Sequence, residues 1–222
     1  LKPYYKAMLW AVEQGVTTGK TANTFAPDAT CTRAEFVTFL WRYNNSPVQS
    51  IDNPFTDVKK NAYYDAILWA YSTGVTQGYG GCEFRPARVC TRAQVVTFLW
   101  RAAGSPEPER TENPFADVSH DGSLKPYYKA ILWAVEQGIT SGVTKTEFAP
   151  NSPCTRAQFV TFLWRYEKKP DSSGSIGGFK DADTIAAPYQ SAVAWAVEEG
   201  VTTGYGLSLI HISEPTRPEP IS

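Results

Sequence analysis

The 222-residue chain has almost no excess of charge of either sign, since 21 basic residues stand against 22 acidic ones. A nucleic-acid-binding domain normally carries a basic stripe that neutralises phosphates, whereas the charges here are mixed along the chain. No apolar run approaches the roughly 20 residues that a membrane-spanning helix needs. We therefore expect neither nucleic-acid binding nor membrane insertion.

The sequence also lacks the residue sets that enzymes and metal sites use. It has 2 histidines and 4 cysteines, and the cysteines are too far apart for a compact zinc site. No nucleophile with a base and an orienting acid recurs, and neither a phosphate-binding loop nor a cleft with paired carboxylates is recognisable. We predict that this chain is not an enzyme and has no catalytic residue, no metal site and no cofactor.

What the sequence does contain is an internal repeat of about 60 residues. The tryptophans of a Trp-Ala pair recur at spacings of 59, 64 and 62 residues, at Trp10, Trp69, Trp133 and Trp195. Around them the same motifs return in order: Phe-x-Asp, Trp-Ala, Gly-[Val/Ile]-Thr-x-Gly, Phe-x-Pro and Cys-Thr-Arg-Ala-[Glu/Gln]. They define repeats at residues 1–48, 53–106, 113–169 and 177–206. The first lacks its opening and the fourth stops early, so we expect the chain to begin inside a longer protein.

The second repeat predicts two helices joined by a loop. Apolar residues recur at the spacing of one buried helical face across residues 62–73, and Gly74 is placed to end that helix. Phe84 lies in the following loop and is expected to anchor it in the core. Thr91 and Gln94 form a capping box that starts the second helix. One such unit cannot bury its apolar face alone, so the repeats must pack together in a mainly α fold.

These motifs resemble the S-layer homology repeat family, in three ordered copies and a partial fourth that cover about residues 1–206. The resemblance implies tandem helix–loop–helix repeats packed as a pseudo-threefold helical bundle with grooves between its prongs. It also implies non-covalent anchoring to a secondary cell-wall polysaccharide, anionic and often pyruvylated, at a bacterial cell wall or surface. The alternative is a protein-interaction or self-assembly module of a larger surface protein or surface enzyme. Both the anchoring module and the protein-interaction module are compatible with a covalently linked catalytic or S-layer domain outside this chain.

The arginine of the Thr-Arg-Ala motif is the position to which the resemblance assigns polysaccharide binding. It maps to Arg33, Arg92 and Arg156, each in the first turn of a predicted helix. A pyruvyl ketal presents a carboxylate that suits the planar donor fork of arginine, and the free N–H groups of a helix start also favour an anion. The alternative is a set of salt bridges between neighbouring repeats, with Asp57, Asp117 or Asp181 as the acidic partners.

The other candidate glycan ligands each have two interpretations. The tryptophans Trp10, Trp69 and Trp133 either pack in the core, which is favoured, or stack on a sugar ring. Structural capping or pairing is favoured over ligand contact for Asp57 and Asp117. The glycines Gly78 and Gly142 either permit a left-handed turn or let a glycan approach the backbone. Lys20 and Val143 stand where the second repeat has Tyr79, which predicts that the grooves are not equivalent.

The cysteines and the end of the chain carry two further expectations. Cys31, Cys90 and Cys154 occupy the same slot before Thr-Arg-Ala, and Cys82 is additional. A Cys82–Cys90 disulfide and free, partly buried thiols both fit this pattern. Residues 207–222 break the repeat and resemble a translated sequencing adapter, so we expect them to be artefactual and disordered.

Overall fold

A computed structural model describes residues 4–20, 26, 28–80 and 82–168. This part of the chain forms α1 (Tyr5–Glu13), α2 (Arg33–Tyr43), α3 (Tyr64–Ser72), α4 (Arg92–Ala102), α5 (Lys125–Glu136) and α6 (Arg156–Tyr166), with a 3-10 turn at Gly122–Leu124. Strand pairing within it is limited to isolated β-bridges, so the predicted mainly α fold is confirmed. No described helix is both long and apolar enough to cross a membrane. The fourth repeat and residues 207–222 lie outside the described residues.

The second helix of each repeat begins at its predicted capping box. In all three, the N-cap threonine hydroxyl accepts the backbone N–H of the third helical residue, whose side chain accepts the N–H of the threonine in return. The pairs are Thr32 with Glu35, Thr91 with Gln94, and Thr155 with Gln158. A good N-cap contributes about 1 kcal/mol, and this one uses only residues within four positions. These helix starts are therefore dictated locally.

The first helix of each repeat has no side-chain cap at its start but ends before a glycine. Gly15, Gly74 and Gly138 have φ angles of 65°, 76° and 70°, in the left-handed region that glycine adopts without a steric penalty. Each glycine turns the chain into the loop that leads to Phe-x-Pro. In that loop Phe84 and its counterpart Phe148 are completely buried, which confirms the predicted anchor.

The main helix contacts join different repeats. The first helix of a repeat packs against the second helix of the preceding repeat, α3 on α2 and α5 on α4, and α1 packs against α6. The described repeats therefore contact one another in a closed order, first to second to third to first. Each pair buries the apolar faces that a single repeat would leave exposed. The pseudo-threefold relation among the three pairs stays a prediction.

The three repeats meet around the cysteines that precede Thr-Arg-Ala. The backbone N–H of Cys31 donates to the Cys154 oxygen, that of Cys154 to the Cys90 oxygen, and that of Cys90 to the Cys31 oxygen, at 3.0, 2.9 and 3.0 Å. All three side chains are buried free thiols. Cys82 is exposed and also free, so the Cys82–Cys90 disulfide is not formed. A closed ring of hydrogen bonds therefore links one strand-like segment from each repeat.

Candidate functional site

Arg33 connects the first repeat to the second. It stands at the start of α2 with only 3% of its surface exposed. Its Nε donates to the carbonyl oxygen of Phe84 at 2.8 Å, and Nη2 donates to the hydroxyl of Thr76 at 3.4 Å. The guanidinium carbon lies 4.7 Å from the ring centroids of both Phe84 and Tyr79, a favourable cation–π distance. Burial lowers the pKa of this guanidinium.

Arg92 and Arg156 make the same kind of connection at the other two junctions. Arg92 donates from Nε to the Phe148 carbonyl of the third repeat at 2.8 Å, and Arg156 donates from Nη2 to the Thr17 hydroxyl of the first repeat at 3.3 Å. They are 3% and 2% exposed, and burial lowers the pKa of both. Each motif arginine thus joins its own repeat to the next one in the closed order.

Asp57 and Asp117 hold the other side of the same loop segments. The two oxygens of Asp57 accept the backbone N–H groups of Phe84 and Arg85 at 2.8 and 2.6 Å. In the third repeat Asp117 accepts the corresponding N–H groups at 2.9 and 2.7 Å. The Phe84 backbone therefore lies between the carboxylate of Asp57 and the guanidinium of Arg33. The proposed Arg–Asp salt bridge is replaced by two bonds to one backbone segment, and Asp181 lies outside the described residues.

The three repeated tryptophans are core residues. Trp10, Trp69 and Trp133 are 3%, 5% and 3% exposed. The Trp10 ring lies 5.7 Å from that of Tyr43, and Trp133 lies 5.9 Å from Tyr166, so neighbouring helices cover them. Their indoles shape the walls of the bundle and present almost no surface to solvent.

Gly78 and Gly142 are required by both backbone angle and space. Their φ angles are 73° and 87°. A Cβ at Gly78 would lie 2.6 Å from Cε1 of Phe55, and a Cβ at Gly142 would lie 2.6 Å from Cε1 of Phe115. The same Cβ atoms would lie 2.6 Å from the backbone oxygens of Glu83 and Glu147, so no other residue type fits unless both the ring and the backbone move. Each glycine therefore allows the loop to lie on the phenylalanine of its own Phe-x-Asp motif.

Arg156 also lines a pocket of about 160 Å³, which lies between the loop after α1, helix α2, the start of α6 and Tyr63 just before α3. Lys20 and Arg42 add two further cations to its wall, and Glu35 is the carboxylate among its lining residues. The Lys20 ammonium lies 2.5 Å from Glu35 Oε1. Burial alone would raise the pKa of Glu35, but hydrogen bonds from Lys20 and Thr32 outweigh it and lower that pKa. Glu35 is therefore ionised and already engaged, and the pocket keeps a net positive charge.

The second repeat arranges the equivalent position differently. Tyr79 replaces Lys20, and its hydroxyl accepts a hydrogen bond from Gln94 Nε2 at 3.0 Å. Arg85 lies 4.6 Å from the ring of Tyr79, whose ring also contacts Arg33. In both repeats the residue after the loop glycine contacts the third residue of the second helix. Lys20 forms an ion pair with Glu35 in the first repeat, and Tyr79 forms a hydrogen bond with Gln94 in the second. In the third repeat Val143 stands at this position and is 50% exposed.

The sequence pointed to Arg156 and Lys20 of this pocket but not to Arg42, Thr38 and Tyr63. Arg42 does recur, since it ends the Thr-Phe-Leu-Trp-Arg run, with equivalents at Arg101 and Arg165. That recurrence was a usable signal, although a basic residue in the last turn of a helix is also explained by the helix dipole. No group of three or more His, Cys, Asp or Glu side chains in the described ranges is placed to hold a metal ion.

Four segments of the chain match the family profile of the S-layer homology domain, residues 2–37, 54–96, 114–160 and 178–214. The chain belongs to the S-layer homology domain family. The match confirms the resemblance read from the repeated motifs. Domains of this family are non-catalytic modules that anchor surface proteins and enzymes to the cell wall.

Curated relatives include both surface-layer proteins and enzymes. The chain is 32% identical over 181 residues to the Surface-layer 125 kDa protein of Lysinibacillus sphaericus, which covers 78% of this chain and 15% of that protein. It is 33% identical over 177 residues to an endoglucanase of Bacillus sp. (strain KSM-635). That match covers 73% of this chain and 18% of the endoglucanase. It is 30% identical over 164 residues to an amylopullulanase of Thermoanaerobacterium thermosulfurigenes. That match covers 72% of this chain and 9% of the amylopullulanase.

The chain therefore spans only a small part, 9% to 18%, of the length of these three relatives. Other relatives include an S-layer protein and a cell-surface glycoprotein. The predicted location, outside the cell at the bacterial wall or surface, is confirmed by this set of surface proteins.

Proposed function

We propose that this chain is a non-covalent anchoring module that binds an anionic secondary cell-wall polysaccharide, such as one that carries pyruvate ketals. The observation that carries the proposal is the charge of the pocket at Arg156. Lys20, Arg42 and Arg156 bring three cations to one small space, and its carboxylate is already bound by Lys20 and the helix cap. A ligand carboxylate compensates this charge at close range, where Coulomb attraction is strongest.

The uncharged groups of the pocket suit a saccharide. Tyr63 is 37% exposed and lines the pocket, so its ring can offer an aromatic face to a sugar. Thr18 lines the same space with a hydroxyl group that can exchange hydrogen bonds with sugar hydroxyls, whereas the buried Thr38 hydroxyl already donates to the Ala34 carbonyl at 2.8 Å. A few polar groups around an aromatic face are typical of sites that bind and orient a small ligand.

The remaining predicted ligands have defined places in this proposal. Arg33 and Arg92 supply the same buried positive charge at the other two junctions between repeats. Gly78 and Gly142 keep the loop backbone close to each junction. The aspartates Asp57 and Asp117 contribute indirectly, because they hold the loop segments in place. The buried tryptophans Trp10, Trp69 and Trp133 contribute by packing the helices around the binding sites.

The proposed anchor carries a larger partner on the same polypeptide. Relatives named as an endoglucanase and an amylopullulanase extend far beyond the matched region, as does the surface-layer relative. We propose that this chain is covalently linked to a catalytic or S-layer domain, which it retains at the wall. The polysaccharide is the non-covalent partner.

Cosedimentation with purified bacterial sacculi tests the proposal, with and without chemical removal of the secondary polysaccharide. The variant Lys20→Gln/Arg42→Gln removes two pocket charges and keeps the motif arginines that join the repeats. Its matched control is Lys59→Gln/Lys60→Gln, which removes two exposed charges elsewhere. We expect wild type and control to bind only polysaccharide-bearing sacculi, and the pocket variant to bind at least about tenfold more weakly.

Two results would contradict the anchoring proposal. The first is a folded wild-type chain that does not cosediment with polysaccharide-bearing sacculi. The second is equal retention after the polysaccharide has been removed. Self-association of the chain without polysaccharide, measured by analytical ultracentrifugation alongside either result, would favour the alternative of a protein-interaction or self-assembly module.

A further inference from the structure

A second cationic cavity lies in the third repeat, and the motif arginines do not line it. Its volume is about 580 Å³. It lies between the segment that precedes Phe115, the loop after α5, and the end of α6. Arg110, Lys145 and Arg165 bring charge to its wall, and Trp164 contributes an aromatic side chain.

The described lining of this cavity carries positive charge without an acidic side chain. Among the described residues, no Asp or Glu lines this cavity, and no ion pair joins its three cations to a carboxylate. Arg110 donates from Nε to the Glu112 carbonyl at 2.8 Å, and Arg165 donates from Nη1 to the Ile139 carbonyl at 3.3 Å. These acceptors are neutral, so the positive charges remain available to an anion.

Burial makes the charge of Arg165 costly. Arg165 is half-buried, and burial lowers the pKa of its guanidinium. The carboxylate of Glu136 is oriented by other bonds, since its Oε2 accepts the backbone N–H groups of Glu109 and Arg110 at 2.8 and 3.0 Å. An anion that enters the cavity therefore meets one guanidinium, that of Arg165, whose desolvation cost has already been met in part by folding, together with the two exposed cations of Arg110 and Lys145.

Two of the three cations occur in the third repeat without a basic counterpart in the second repeat, and they do not belong to the repeated motifs. Arg110 stands five residues before Phe115, where the second repeat has Ser50. Lys145 stands three residues after Gly142, where the second repeat has Gly81. Only Arg165 has counterparts in the other repeats. The family motifs therefore do not explain the cavity's charge.

The neutral lining selects among anions. Trp164 is partly buried and adjoins the cations, and Thr140 and Ser141 bring hydroxyl groups and polar backbone to the same wall. An aromatic surface with hydroxyl groups suits a sugar ring, and the cations suit an acidic substituent on that ring. We propose that this cavity is a second binding site for an acidic saccharide unit, with a carboxylate or phosphate group on the cations and the ring beside Trp164.

This inference rests on the proposed function, because a wall polysaccharide repeats its acidic units along one chain. A polymer that occupies the pocket at Arg156 and the cavity at Arg165 gains avidity, since the second contact is intramolecular. The two sites differ in size, about 160 and 580 Å³, so they are expected to hold the polymer differently. Retention at the wall would then depend on both.

The test is a titration of the full chain with three probes, glucuronic acid, glucose 6-phosphate and glucose, followed by NMR at the Trp164 indole N–H and the Ser141 amide. We expect one or both acidic sugars to shift these signals and glucose to leave them unchanged. The comparison of the two acids identifies whether carboxylate or phosphate is preferred. Arg110→Gln/Lys145→Gln, both at exposed positions, should weaken binding at least about fivefold, and Lys59→Gln/Lys60→Gln should not.

Three results overturn the inference: no shift with either acid, equal shifts with glucose, or equal affinity in Arg110→Gln/Lys145→Gln. Sacculus binding separates this outcome from failure of the anchoring proposal. If the wild-type chain binds sacculi but neither acidic sugar shifts its NMR signals, the anchoring proposal stands and the second site is refuted. Loss of wild-type retention refutes anchoring, whereas the titration still decides whether the cavity binds an acidic sugar.

Discussion

Arg33 donates a hydrogen bond of 2.8 Å from Nε to the carbonyl oxygen of Phe84, which lies 51 residues further along the chain. The backbone N–H of the same Phe84 donates to Asp57 at 2.8 Å. The arginine to which the family resemblance assigns polysaccharide binding is thus also a connector between repeats. A substitution at this position changes folding and binding together, so the binding tests proposed above use Lys20 and Arg42 instead.

Arg92→Ala should destabilise the fold strongly. The substitution leaves the buried Phe148 carbonyl without its 2.8 Å hydrogen bond and removes cation–π contacts with Phe148 and Phe162. We expect a loss of about 3 kcal/mol in the free energy of unfolding, measured by urea denaturation with tryptophan fluorescence. Arg92→Lys keeps the charge but lacks Nε and should lose slightly less. The exposed control Lys59→Ala should change stability by less than about 0.5 kcal/mol. An Arg92→Ala chain as stable as wild type would refute the connector role.

Asp117→Asn should loosen the loop that carries Phe148. Asp117 accepts two backbone N–H groups, at 2.9 and 2.7 Å, and an asparagine has only one acceptor oxygen and places an NH₂ group against the other donor. We expect a loss of about 1–2 kcal/mol and faster hydrogen exchange at the Phe148 amide. Asp121→Asn, at a position 76% exposed, is the control. Unchanged exchange at Phe148 in the Asp117 variant would contradict the capping role.

The local parts of this fold could be predicted from the sequence, and the long-range parts could not. The capping box at Thr91 and Gln94 uses residues three apart, and Gly74 ends a helix through its own backbone angle, so both were correctly predicted. The pairing of α1 with α6 depends on which repeats meet in space. No local pattern encodes that choice, because all first helices carry similar apolar faces.

The same distinction applies to the candidate site. The arginines were found because they recur, but the acceptor of Arg33 is a backbone carbonyl at Phe84, and a carbonyl has no side-chain signature. The sequence pointed to Asp57 as a partner for charge reasons, whereas the carboxylate binds backbone N–H groups. Lys145 and Arg110 were missed for the opposite reason, since they do not recur and only the fold brings them together.

Native thiol labelling should detect one of the four cysteines. Cys82 is exposed, whereas Cys31, Cys90 and Cys154 are buried at the junction of the repeats. Burial raises the pKa of Cys90 and of Cys154 to about 12, so their reactive thiolates are scarce at neutral pH. We expect a disulfide-exchange reagent at pH 8 to label one thiol rapidly, and four thiols in denaturant. Cys82→Ser should abolish the rapid phase. Fast labelling of more than one native thiol would contradict the buried centre.

Glu35→Gln should change the pH dependence of stability in the acid range. Glutamine preserves the capping box, as Gln94 shows in the second repeat, but cannot form the ion pair with Lys20. Hydrogen bonds lower the pKa of Glu35 below its ordinary value of 4.5, so its contribution is present above that value and is lost as pH falls through the folded-state pKa. Wild type should be more stable by less than about 1 kcal/mol at pH 7, because Lys20 is exposed.

The measurement is urea unfolding of both proteins between pH 3 and 7, where the advantage of wild type should shrink towards the acid end. A constant difference across that range would show that the Glu35 carboxylate has no special interaction in the folded state. The Gln94→Glu variant is a useful comparison, because it introduces the carboxylate where Tyr79 stands in place of the lysine.

The central claim is that the chain anchors by recognising acidic groups on a wall polysaccharide. The most direct measurement is isothermal titration calorimetry of wild type with purified secondary polysaccharide, before and after its acidic substituents are removed by mild hydrolysis. We predict binding to the acidic polymer that weakens with added salt, is weaker in Lys20→Gln/Arg42→Gln, and is lost with the neutral polymer. Equal affinity for the acidic and neutral polymers, with no dependence on salt, would contradict the account.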